Sequence, residues 1–422
     1  MKILIVGGGA REHALGWKFK KDHPAFSLTF MPGNAGTVEI GENSSNGYAP
    51  LDLAKKLKPD LVVIGPEAPL AQGLADELKD KGFKAFGPSR AAARLESSKI
   101  FAKDFCARNK IPTAKYGVFD RFDEAFGFIR SSPLPLVIKA DGLAQGKGVK
   151  IVHTLGEAEA ALRFFIDEGG LGVAGRRVVI EEFLEGRELS LMAFFDGQSF
   201  VYLPPARDYK RLLDADQGPN TGGMGSVAPV MNEPRFWSAV ESDITAPWRR
   251  ALEQEGLLYQ GVIYFGLMLT KKGIKVLEFN ARFGDPETQV LMPLVQVPLI
   301  ELMEAVCEGL LGKFPKDILL RSLAVGHKER DAVGVSLASQ GYPDHPKTGS
   351  VIEGLDLAAR RPGVEVFHAG TAKESGRLVS SGGRVLSVVG LGINSREARS
   401  RAYGAVSVIK FEGMQYRKDI GM

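Results

Sequence analysis

The chain contains little cysteine, and this limits the chemistry that it can carry. Among its 422 residues are two cysteines, Cys106 and Cys307, far apart and each within a helical pattern of residues. A disulfide framework or a structural zinc site needs more cysteines or a closer spacing than this. We therefore expect two buried free thiols.

Long apolar runs and blocks of one charge are also missing. No apolar stretch approaches the roughly 18 residues that a membrane helix needs, and the opening MKILIVGGG lacks the regions of a signal peptide. The 54 basic and 50 acidic residues leave a net charge of +4, without a lysine- and arginine-rich run interleaved with aromatics. These absences predict a cytoplasmic protein that binds no membrane and no nucleic acid, although a slight positive charge suits small anionic substrates.

The first hundred residues alternate short apolar runs with helical patterns. The apolar runs are residues 3–6, 27–31, 60–65 and 84–87. This alternation predicts a parallel sheet with right-handed crossovers, the first of two to four domains in a chain of this length. Ligands of such sheets bind beyond the carboxyl ends of the strands, where the loops read GGGARE, PGNAGT and GPEAPL.

A dinucleotide site is the obvious candidate for this edge, and the residues argue against it. The glycines at 7–9 are followed by Ala10-Arg11-Glu12, so the last glycine of G-x-G-x-x-G is missing. The second strand ends in Met-Pro-Gly at 31–33, where an acid that binds ribose would stand. A Rossmann-type oxidoreductase is therefore a weak alternative. The glycines serve either the strand-to-helix bend alone or a substrate phosphate.

From about residue 113 the strand patterns come in pairs, which is typical of antiparallel hairpins. A helix is predicted just before them at 98–109, and it ends before Ile111-Pro112. The pairs are LPLVIKA with GVKIV, VVIEEFL with ELSLMAFFDG, and VIYFGLMLT with IKVLEFN. A last region is rich in short strands and turns, with a helix near 395–407. The chain is thus predicted to be an α/β and α+β multidomain protein with a small β-rich C-terminal domain.

The stretch VIKADGLAQGKGVKIV places three glycines and two lysines around one turn. It is not a Walker A loop, because three residues rather than four separate Gly142 and Gly146, and because Gly148 follows Lys147 where Ser or Thr must stand. A strand also follows it where a Walker loop opens a helix. What remains is a glycine loop between antiparallel strands, whose N–H groups can bind phosphate oxygens with Lys139 beside them. A hairpin with purely structural glycines is the alternative.

The stretch VLEFNARFGDPETQ is the strongest indication of catalysis. Glu278 and Asn280 are two residues apart on a predicted strand, so both face the same side. Such oxygen donors suit Mg²⁺, which keeps several waters and is completed by substrate phosphates. Arg282 projects from the same side, and its fork matches a carboxylate or an acyl phosphate.

Upstream, residues 181–184 end an apolar strand and can form hydrogen bonds with an adenine edge through their backbone. Glu188 could accept a hydrogen bond from a ribose hydroxyl. An exposed acidic strand end explains that segment equally well.

Together these features resemble the ATP-grasp superfamily, which combines a lysine-bearing strand, a glycine hairpin loop, an E-x-F hinge and a metal-binding strand ending in E-x-N. Within it, the chain is similar to the phosphoribosylamine–glycine ligases over essentially its whole length. The matching stretches are GGGAREHAL, PGNAGT, GPEAPL, FGPS, KADGLAQGKGV, EEFLEG, GPNTGGMG, EFNARFGDPETQ, FHAGT and RKDIG. Of these, GPNTGGMG and RFGDPETQ are the most specific.

The resemblance implies an ATP-grasp fold between an N-terminal and a C-terminal domain. A parallel α/β substrate-binding domain would occupy residues 1–101, and the ATP-grasp region residues 102–321. This region would divide into a lid at about 113–186 and a central subdomain at about 187–321. A β-rich domain at 322–422 would close the site.

The resemblance also implies roles for individual residues. Those expected to bind ATP are Lys99, Lys139, Gly142, Gly146, Lys147, Gly148, Glu181, Glu182, Phe183, Leu184 and Glu188. Glu278 and Asn280 would bind Mg²⁺ or Mn²⁺, and the catalytic side chains would be Arg282, Lys139 and Asp208. Those expected to bind the other substrates are Gly8, Gly9, Gly33, Asn34, Gly36, Thr37, Glu67, Asn220, Thr221, Gly222, Gly223, Arg282, Gly284 and Asp285.

The implied activity is the ATP-dependent ligation of glycine to 5-phospho-D-ribosylamine through glycyl phosphate, the second step of de novo purine biosynthesis. The partners would be these small molecules, and the chain would be a monomer or a weak homodimer.

Residues 264–270 lie on the predicted strand that pairs with the strand of Glu278 and Asn280. They lack the carboxylate that many ATP-grasp enzymes carry on this paired strand, so the number of metal ions stays open. The main alternative is another ATP-grasp purine ligase that uses formate or bicarbonate, which should lack GPNTGGMG.

Overall fold

The computed structural model describes residues 1–44, 47–143, 148–231, 233–314 and 331–422. Within these ranges the strands form two sheets of five strands, two of four and two of two. None of the helices in the same ranges is long and apolar enough to cross a membrane. Elements are numbered in chain order.

The first sheet is parallel, as the alternation of apolar runs and helical patterns predicts. Its strands are β1 (Lys2–Gly7), β2 (Ser27–Pro32), β3 (Glu42–Asn43), β4 (Leu61–Ile64) and β5 (Ala85–Phe86). The helices of this region are α1 (Ala10–Asp22), α2 (Pro50–Leu57), α3 (Glu67–Gln72), α4 (Leu74–Asp80) and α5 (Arg90–Ser97). The strand order is β3-β2-β1-β4-β5. Since parallel strands share one direction, the loops after β1, β2 and β4 meet at one edge.

Helix α6 (Lys99–Arg108) leads out of this region and confirms the helix predicted at 98–109. Ser98 caps it, because its hydroxyl oxygen accepts a hydrogen bond from the backbone N–H of Phe101 at 3.1 Å. The helix ends before Ile111-Pro112, since the residue before a proline avoids the helical conformation.

A four-stranded antiparallel sheet follows, and it carries the glycine loop. Its strands are β6 (Tyr116–Phe119), β7 (Leu136–Ala140), β8 (Val149–Val152) and β9 (Val178–Glu182), with helices α7 (Phe122–Arg130) and α8 (Leu155–Leu162). Their order is β6-β9-β7-β8. The predicted hairpin of β7 and β8 is confirmed, and its base is closed by a 2.8 Å bond from the N–H of Ala140 to the carbonyl of Gly148.

The next part of the chain contains a second four-stranded sheet and a set of short strands. The strands are β10 (Arg187–Phe195), β11 (Phe200–Tyr202), β12 (Arg207–Asp208), β13 (Arg211–Leu213), β14 (Gln217–Asn220), β15 (Gly225–Ala228), β16 (Gly261–Thr270) and β17 (Gly273–Asn280). The helices are α9 (Pro234–Ala239), α10 (Ala246–Gln254), α11 (Glu287–Leu291) and α12 (Leu299–Glu308). The sheet order β11-β10-β16-β17 confirms the predicted hairpin of β16 and β17.

The predicted hairpin of VVIEEFL with ELSLMAFFDG is wrong. β9 pairs with β6 and β7, whereas β10 pairs with β11 and β16 in the other sheet. The chain therefore crosses from one sheet to the next at residues 183–186. Two apolar runs separated by a short polar segment do not reveal this, because strand partners are set by packing over long sequence distances.

The last region is rich in strands, as predicted. Its elements are β18 (Asp331–Ala338), α13 (Leu355–Ala359), β19 (Val364–His368), β20 (Thr371–Glu374), β21 (Arg377–Ser380), β22 (Arg384–Gly392) and α14 (Ser395–Val406). The main sheet has the order β12-β15-β18-β22-β19, so it takes two strands from the preceding region. The domain limits predicted from the sequence stay a prediction, and this sheet has strands on both sides of the limit at 321.

One apolar core joins the regions that surround the site. It contains Ile5 of the first sheet, Phe194 of the second four-stranded sheet, Val290 of α11 and Val389 of the last sheet. Both cysteines are free, as predicted, although Cys307 is only partly buried. Burial raises the pKa of the Cys106 thiol to about 12, so this group behaves as a small apolar side chain.

Candidate active site

Three charged side chains from three segments meet at the end of β17. The ammonium of Lys210 lies 3.2 Å from Glu188 Oε2 on β10 and 3.7 Å from Glu278 Oε1 on β17. The side chains of Glu188, Lys210 and Glu278 keep 47%, 35% and 37% of their surface exposed, so this group, the open triad, faces solvent. With two carboxylates and one ammonium, it carries a net negative charge. The open triad can therefore accept a further cation.

The end of β17 offers oxygen donors that fit a divalent metal. Loss of solvent works against ionisation of Glu278, but the charges of Lys210, Lys139 and Lys99 outweigh this and lower its pKa to about 2. Asn280 forms a side-chain hydrogen bond with Glu278, as expected for two residues on one face of a strand. Among the described residues no group of three or more His, Cys, Asp or Glu could hold a metal. Phosphates and water would have to complete the coordination, as Mg²⁺ commonly requires.

Arg282 is bound by two carboxylates from the N-terminal region. Its Nε lies 3.0 Å from Glu67 Oε2 and its Nη2 lies 2.9 Å from Glu96 Oε1, while Nη1 donates to the carbonyl of Phe283 at 3.0 Å. Nη2 also reaches Asn280 Oδ1 at 3.3 Å. The guanidinium therefore links α3 and α5 to the end of β17. The two carboxylates compete with an acyl phosphate for this guanidinium.

A second triad lies behind the glycine loop and is buried. Glu181 on β9 receives two ammonium groups, Lys139 Nζ at 3.0 Å and Lys103 Nζ at 2.9 Å, and all three side chains are less than a tenth exposed. Burial lowers the pKa of Lys103, and the carboxylate of Glu181 opposes this. With two ammonium groups and one carboxylate, this buried triad has a net positive charge. It therefore suits an anion such as a phosphate.

The remaining predicted ATP residues lie near the glycine loop and where the chain crosses between the sheets. Lys99 donates a 2.8 Å hydrogen bond to the carbonyl of Gly142, at the start of the glycine loop. Glu182 accepts from Lys275 at 2.7 Å and from the N–H of Lys115 at 3.0 Å. Phe183 is exposed, Leu184 is partly exposed, and both lie where the chain crosses between sheets. Gly146 and Lys147 lie outside the described residues.

The predicted substrate loops of the first sheet fold against each other. Asn34 donates to the carbonyl of Gly8 at 3.0 Å, and its side-chain oxygen accepts from the N–H groups of Gly36 at 2.9 Å and Thr37 at 3.1 Å. Gly33 has a φ of +73°, which favours glycine. These contacts fix the loops after β1 and β2 as one unit.

The loop after β17 completes this edge. A Cβ on Gly9 would lie 3.6 Å from Asp285 Oδ2, so the first loop lies against the Gly284-Asp285 turn. Asp285 is paired with Arg384 on β22 at 2.9 Å. Burial opposes ionisation of Asp285, but the charges of Arg384 and Arg11 and a hydrogen bond with Gln289 together lower its pKa. Three regions of the chain thus meet at this carboxylate.

The predicted turn at 220–223 lies beside Asp208. A Cβ on Gly223 would be 2.6 Å from Asp208 Oδ1, and Arg384 donates to the carbonyl of Gly222 at 2.6 Å. Asn220 pairs with Arg211 across the β13–β14 hairpin, and Thr221 donates from both its N–H and its hydroxyl to the carbonyl of Lys210 at 2.8 Å. Burial and the charge of Glu287 raise the pKa of Asp208 well above its ordinary value. The turn therefore shapes the surroundings of Asp208 and Lys210.

The structure adds residues to the site that the sequence analysis did not predict. They are Glu96, Lys103, Lys210, Glu287 and Arg384. Lys210 had a local signal, since it lies two residues after Asp208 in an extended segment and so faces the same side. Arg384 and Glu96 had none, because their partners lie about a hundred or more residues away.

Comparisons with known proteins agree with this arrangement. Three family profiles match, described as phosphoribosylglycinamide synthetase N domain at residues 1–96, ATP-grasp (A) domain at 97–288 and C domain at 332–422. A phosphoribosylamine–glycine ligase from Caldanaerobacter subterraneus is 44% identical and covers 100% of this chain and 99% of its own. The crystal structure of a ligase of that name from Thermotoga maritima has a TM-score of 0.84 at 38% identity, over 99% of this chain and 100% of that one.

A more distant structure shows the fold alone. The N5-carboxyaminoimidazole ribonucleotide synthetase of Thermotoga maritima has a TM-score of 0.62 at 18% identity and covers 97% of this chain and 99% of that one. The ATP-grasp profile at residues 97–288 and the similarity to the Thermotoga ligase structure show that the chain is a ligase of the ATP-grasp fold. More narrowly, the chain belongs to the phosphoribosylglycinamide synthetase family.

Proposed function

We propose that this protein ligates glycine to 5-phospho-D-ribosylamine at the expense of ATP, giving glycinamide ribonucleotide, ADP and phosphate. The observation that carries the proposal is the position of the family-specific turn at 220–223. It lies against Asp208 and Lys210, beside the oxygen donors of β17. This arrangement supports an acceptor site next to the site of phosphoryl transfer, in a chain that matches phosphoribosylamine–glycine ligases over its whole length.

On the ATP side, the net positive charge of the buried triad supports phosphate binding. Lys139 and Lys99 would contact the phosphates, together with N–H groups of the glycine loop from Gly142 to Gly148. The segment 181–184 would hold the adenine through its backbone, since the side chain of Glu181 is already paired with lysines. Glu188 would accept from a ribose hydroxyl.

On the reaction side, the carboxylate of glycine would attack the γ-phosphate in line, giving glycyl phosphate and ADP. Mg²⁺ or Mn²⁺, when bound by Glu278 and Asn280, supplies positive charge that neutralises the phosphates. Lys210 would stabilise the charge on the transferring group, and Arg282 would contact the acyl phosphate. The amine of phosphoribosylamine then attacks the acyl carbon, and phosphate leaves. Positioning and charge neutralisation carry the catalysis, so a covalent intermediate on the protein is unnecessary.

The remaining predictions concern the surroundings of the reaction. The loops at 8–9 and 33–37, with Glu67, would hold the phosphoribosylamine. The glycine-loop sheet would act as a lid that excludes water, because acyl phosphates hydrolyse readily. We infer a cytoplasmic enzyme that is a monomer or a weak homodimer.

The proposal is tested by measuring ADP release with ATP, Mg²⁺ and freshly generated phosphoribosylamine, and adding glycine, formate or bicarbonate separately. We expect release to require both glycine and phosphoribosylamine, with glycinamide ribonucleotide detected by mass spectrometry. Omission of the amine controls for slow hydrolysis of glycyl phosphate. Release that ignores glycine and follows formate or bicarbonate would assign the chain to a different ligase of the same fold.

A further inference from the structure

Tyr209 stands between two site residues and faces away from them. The segment around it is extended, since its N–H bonds to the carbonyl of Gly225 at 3.0 Å and its carbonyl accepts from Met224 at 2.8 Å. Neighbouring side chains of an extended segment point to opposite sides. Asp208 and Lys210 therefore face the cleft, while the ring of Tyr209 is buried on the side of the last sheet. Whatever holds Tyr209 thus orients its two neighbours.

Two guanidinium groups and a backbone N–H hold Tyr209. Arg207 lies 4.7 Å and Arg417 5.0 Å from the centre of its ring, within the range of cation–π attraction. Its hydroxyl oxygen accepts a 3.2 Å hydrogen bond from the N–H of Gly421. Arg417 and Gly421 both belong to RKDIG, a matching stretch to which the proposed mechanism gives no role.

Arg417 also fixes the hairpin that follows Lys210. Its side chain is 1% exposed and forms ion pairs with Asp419 at 2.6 Å and Asp216 at 2.7 Å. Ala215 and Asp216 have φ values of +55° and +53°, a backbone conformation that residues other than glycine rarely adopt. Asp419 accepts from the N–H of Ala215 at 2.8 Å. The RKDI residues therefore hold two successive strained positions at the tip of the β13–β14 hairpin, for which the surroundings must compensate.

We propose that residues 417–421 form a clamp which positions Lys210 and Asp208 for the reaction, with Arg417 as its central positioning residue. The clamp binds both the ring between these two residues and the tip of the hairpin whose other end carries the turn at 220–223. Lys210 has a flexible side chain, so its place between Glu188 and Glu278 depends on its backbone being fixed. The activity readout of this proposal rests on the proposed function.

The test compares Arg417→Lys with Arg401→Lys. Arg401 is the control, because it also binds a carboxylate, Glu397 at 2.6 Å, and a backbone carbonyl, that of Leu391 at 2.6 Å, on another part of the last domain, although it is more exposed than Arg417. We expect Arg417→Lys to lower kcat by roughly tenfold or more, with KM for ATP within about a factor of two. Arg401→Lys should keep the activity of the parent protein.

Binding of Mn²⁺, followed by electron paramagnetic resonance without substrates, gives a readout that does not depend on turnover. In Arg417→Lys, Lys210 is released from Glu278 and Mn²⁺ should bind several-fold more tightly. Asp419→Asn keeps Arg417 and should show a smaller loss of kcat and a smaller gain in Mn²⁺ affinity. This variant replaces Arg417→Lys in the test if Arg417→Lys does not fold. An unchanged kcat and Mn²⁺ affinity in the folded variants, or equal losses in Arg401→Lys, would overturn the clamp. If the parent protein fails to turn over glycine, the proposed function fails, and the Mn²⁺ data still decide on the clamp.

Discussion

The two triads of the cleft contain the same residue types in opposite proportions. The buried triad has Lys103 and Lys139 on one carboxylate, Glu181, whereas the open triad has Glu188 and Glu278 on one ammonium, Lys210. The first leaves a net positive charge, and the second a net negative charge. In the proposed function, these charges would complement the phosphates and the metal ion of a metal–nucleotide complex.

The triads also differ in their contact with water, and this decides what each contributes. In the buried triad, charges interact strongly but cost desolvation, so every partner is needed for stability. In the open triad, between a third and a half of each side chain is exposed, so loss of a pair costs the fold less than in the buried triad. Substitutions in the buried triad should therefore act mainly on the free energy of unfolding, and those in the open triad mainly on turnover.

The largest effect is expected from Glu278→Ala in the open triad. Loss of the carboxylate removes a proposed metal ligand, and turnover should fall on the order of a thousandfold or more, while the thermal unfolding midpoint stays close to that of the parent protein. ADP release and calorimetry measure the two quantities. Glu374→Ala, at an exposed position of β20, is the control for loss of a surface glutamate. Near-normal turnover in Glu278→Ala would show that β17 does not contribute to the metal site.

Glu181→Gln in the buried triad should act on stability instead. It leaves Lys103 and Lys139 buried without a carboxylate, which should lower the free energy of unfolding by about 3–5 kcal/mol. The neighbouring Glu182→Gln is a matched control, because Glu182 pairs with the more exposed Lys275 and should cost less than about 1 kcal/mol. Urea denaturation measures both. Equal losses of unfolding free energy in Glu181→Gln and Glu182→Gln would show that burial does not decide how much an ion pair contributes to stability here.

Much of the fold could be predicted because its signals are local. The parallel sheet follows from short apolar runs separated by helical patterns, and α6 follows from the cap at Ser98 and the proline at 112. The pairing of β9 with β10 was predicted wrongly for a related reason. Both are apolar runs that a short linker separates, as in a true hairpin, and nothing within either run tells that each is completed by strands elsewhere.

The residues of the site also divide into those that local sequence could predict and those that meet only through long-range contacts. Glu278, Asn280 and Arg282 share a face by strand geometry, and the structure brings them together as predicted. The partners of Arg282 could not be predicted, since Glu67 and Glu96 come from the N-terminal region. The charge of each triad was equally hidden from the sequence, because it depends on which lysine lies next to which glutamate in three dimensions.

The smallest effect is expected from Lys210→Met, and it gives the sharpest comparison of the triads. Removing the ammonium should lower kcat by roughly ten- to a hundredfold, since a charge on the transferring phosphate is no longer stabilised. The same substitution should make Mn²⁺ bind about fivefold more tightly, the scale of the ~1 kcal/mol exchanged by two unit charges 4 Å apart in water. Titration by electron paramagnetic resonance and steady-state ADP release measure the two quantities.

These opposite signs separate electrostatics from general damage at the site. A disordered open triad would weaken both metal binding and turnover, whereas a lost ammonium weakens only turnover. Lys275→Met is the matched control, because Lys275 pairs with Glu182 away from the proposed metal site at the end of β17 and should leave Mn²⁺ affinity unchanged. If Mn²⁺ bound more weakly to Lys210→Met, then the main effect of Lys210 would be to hold the Glu278 carboxylate in place for the metal ion. Its repulsion of the metal ion would be the smaller effect. The open triad would then be a preformed cation site whose charge balance matters less than its geometry.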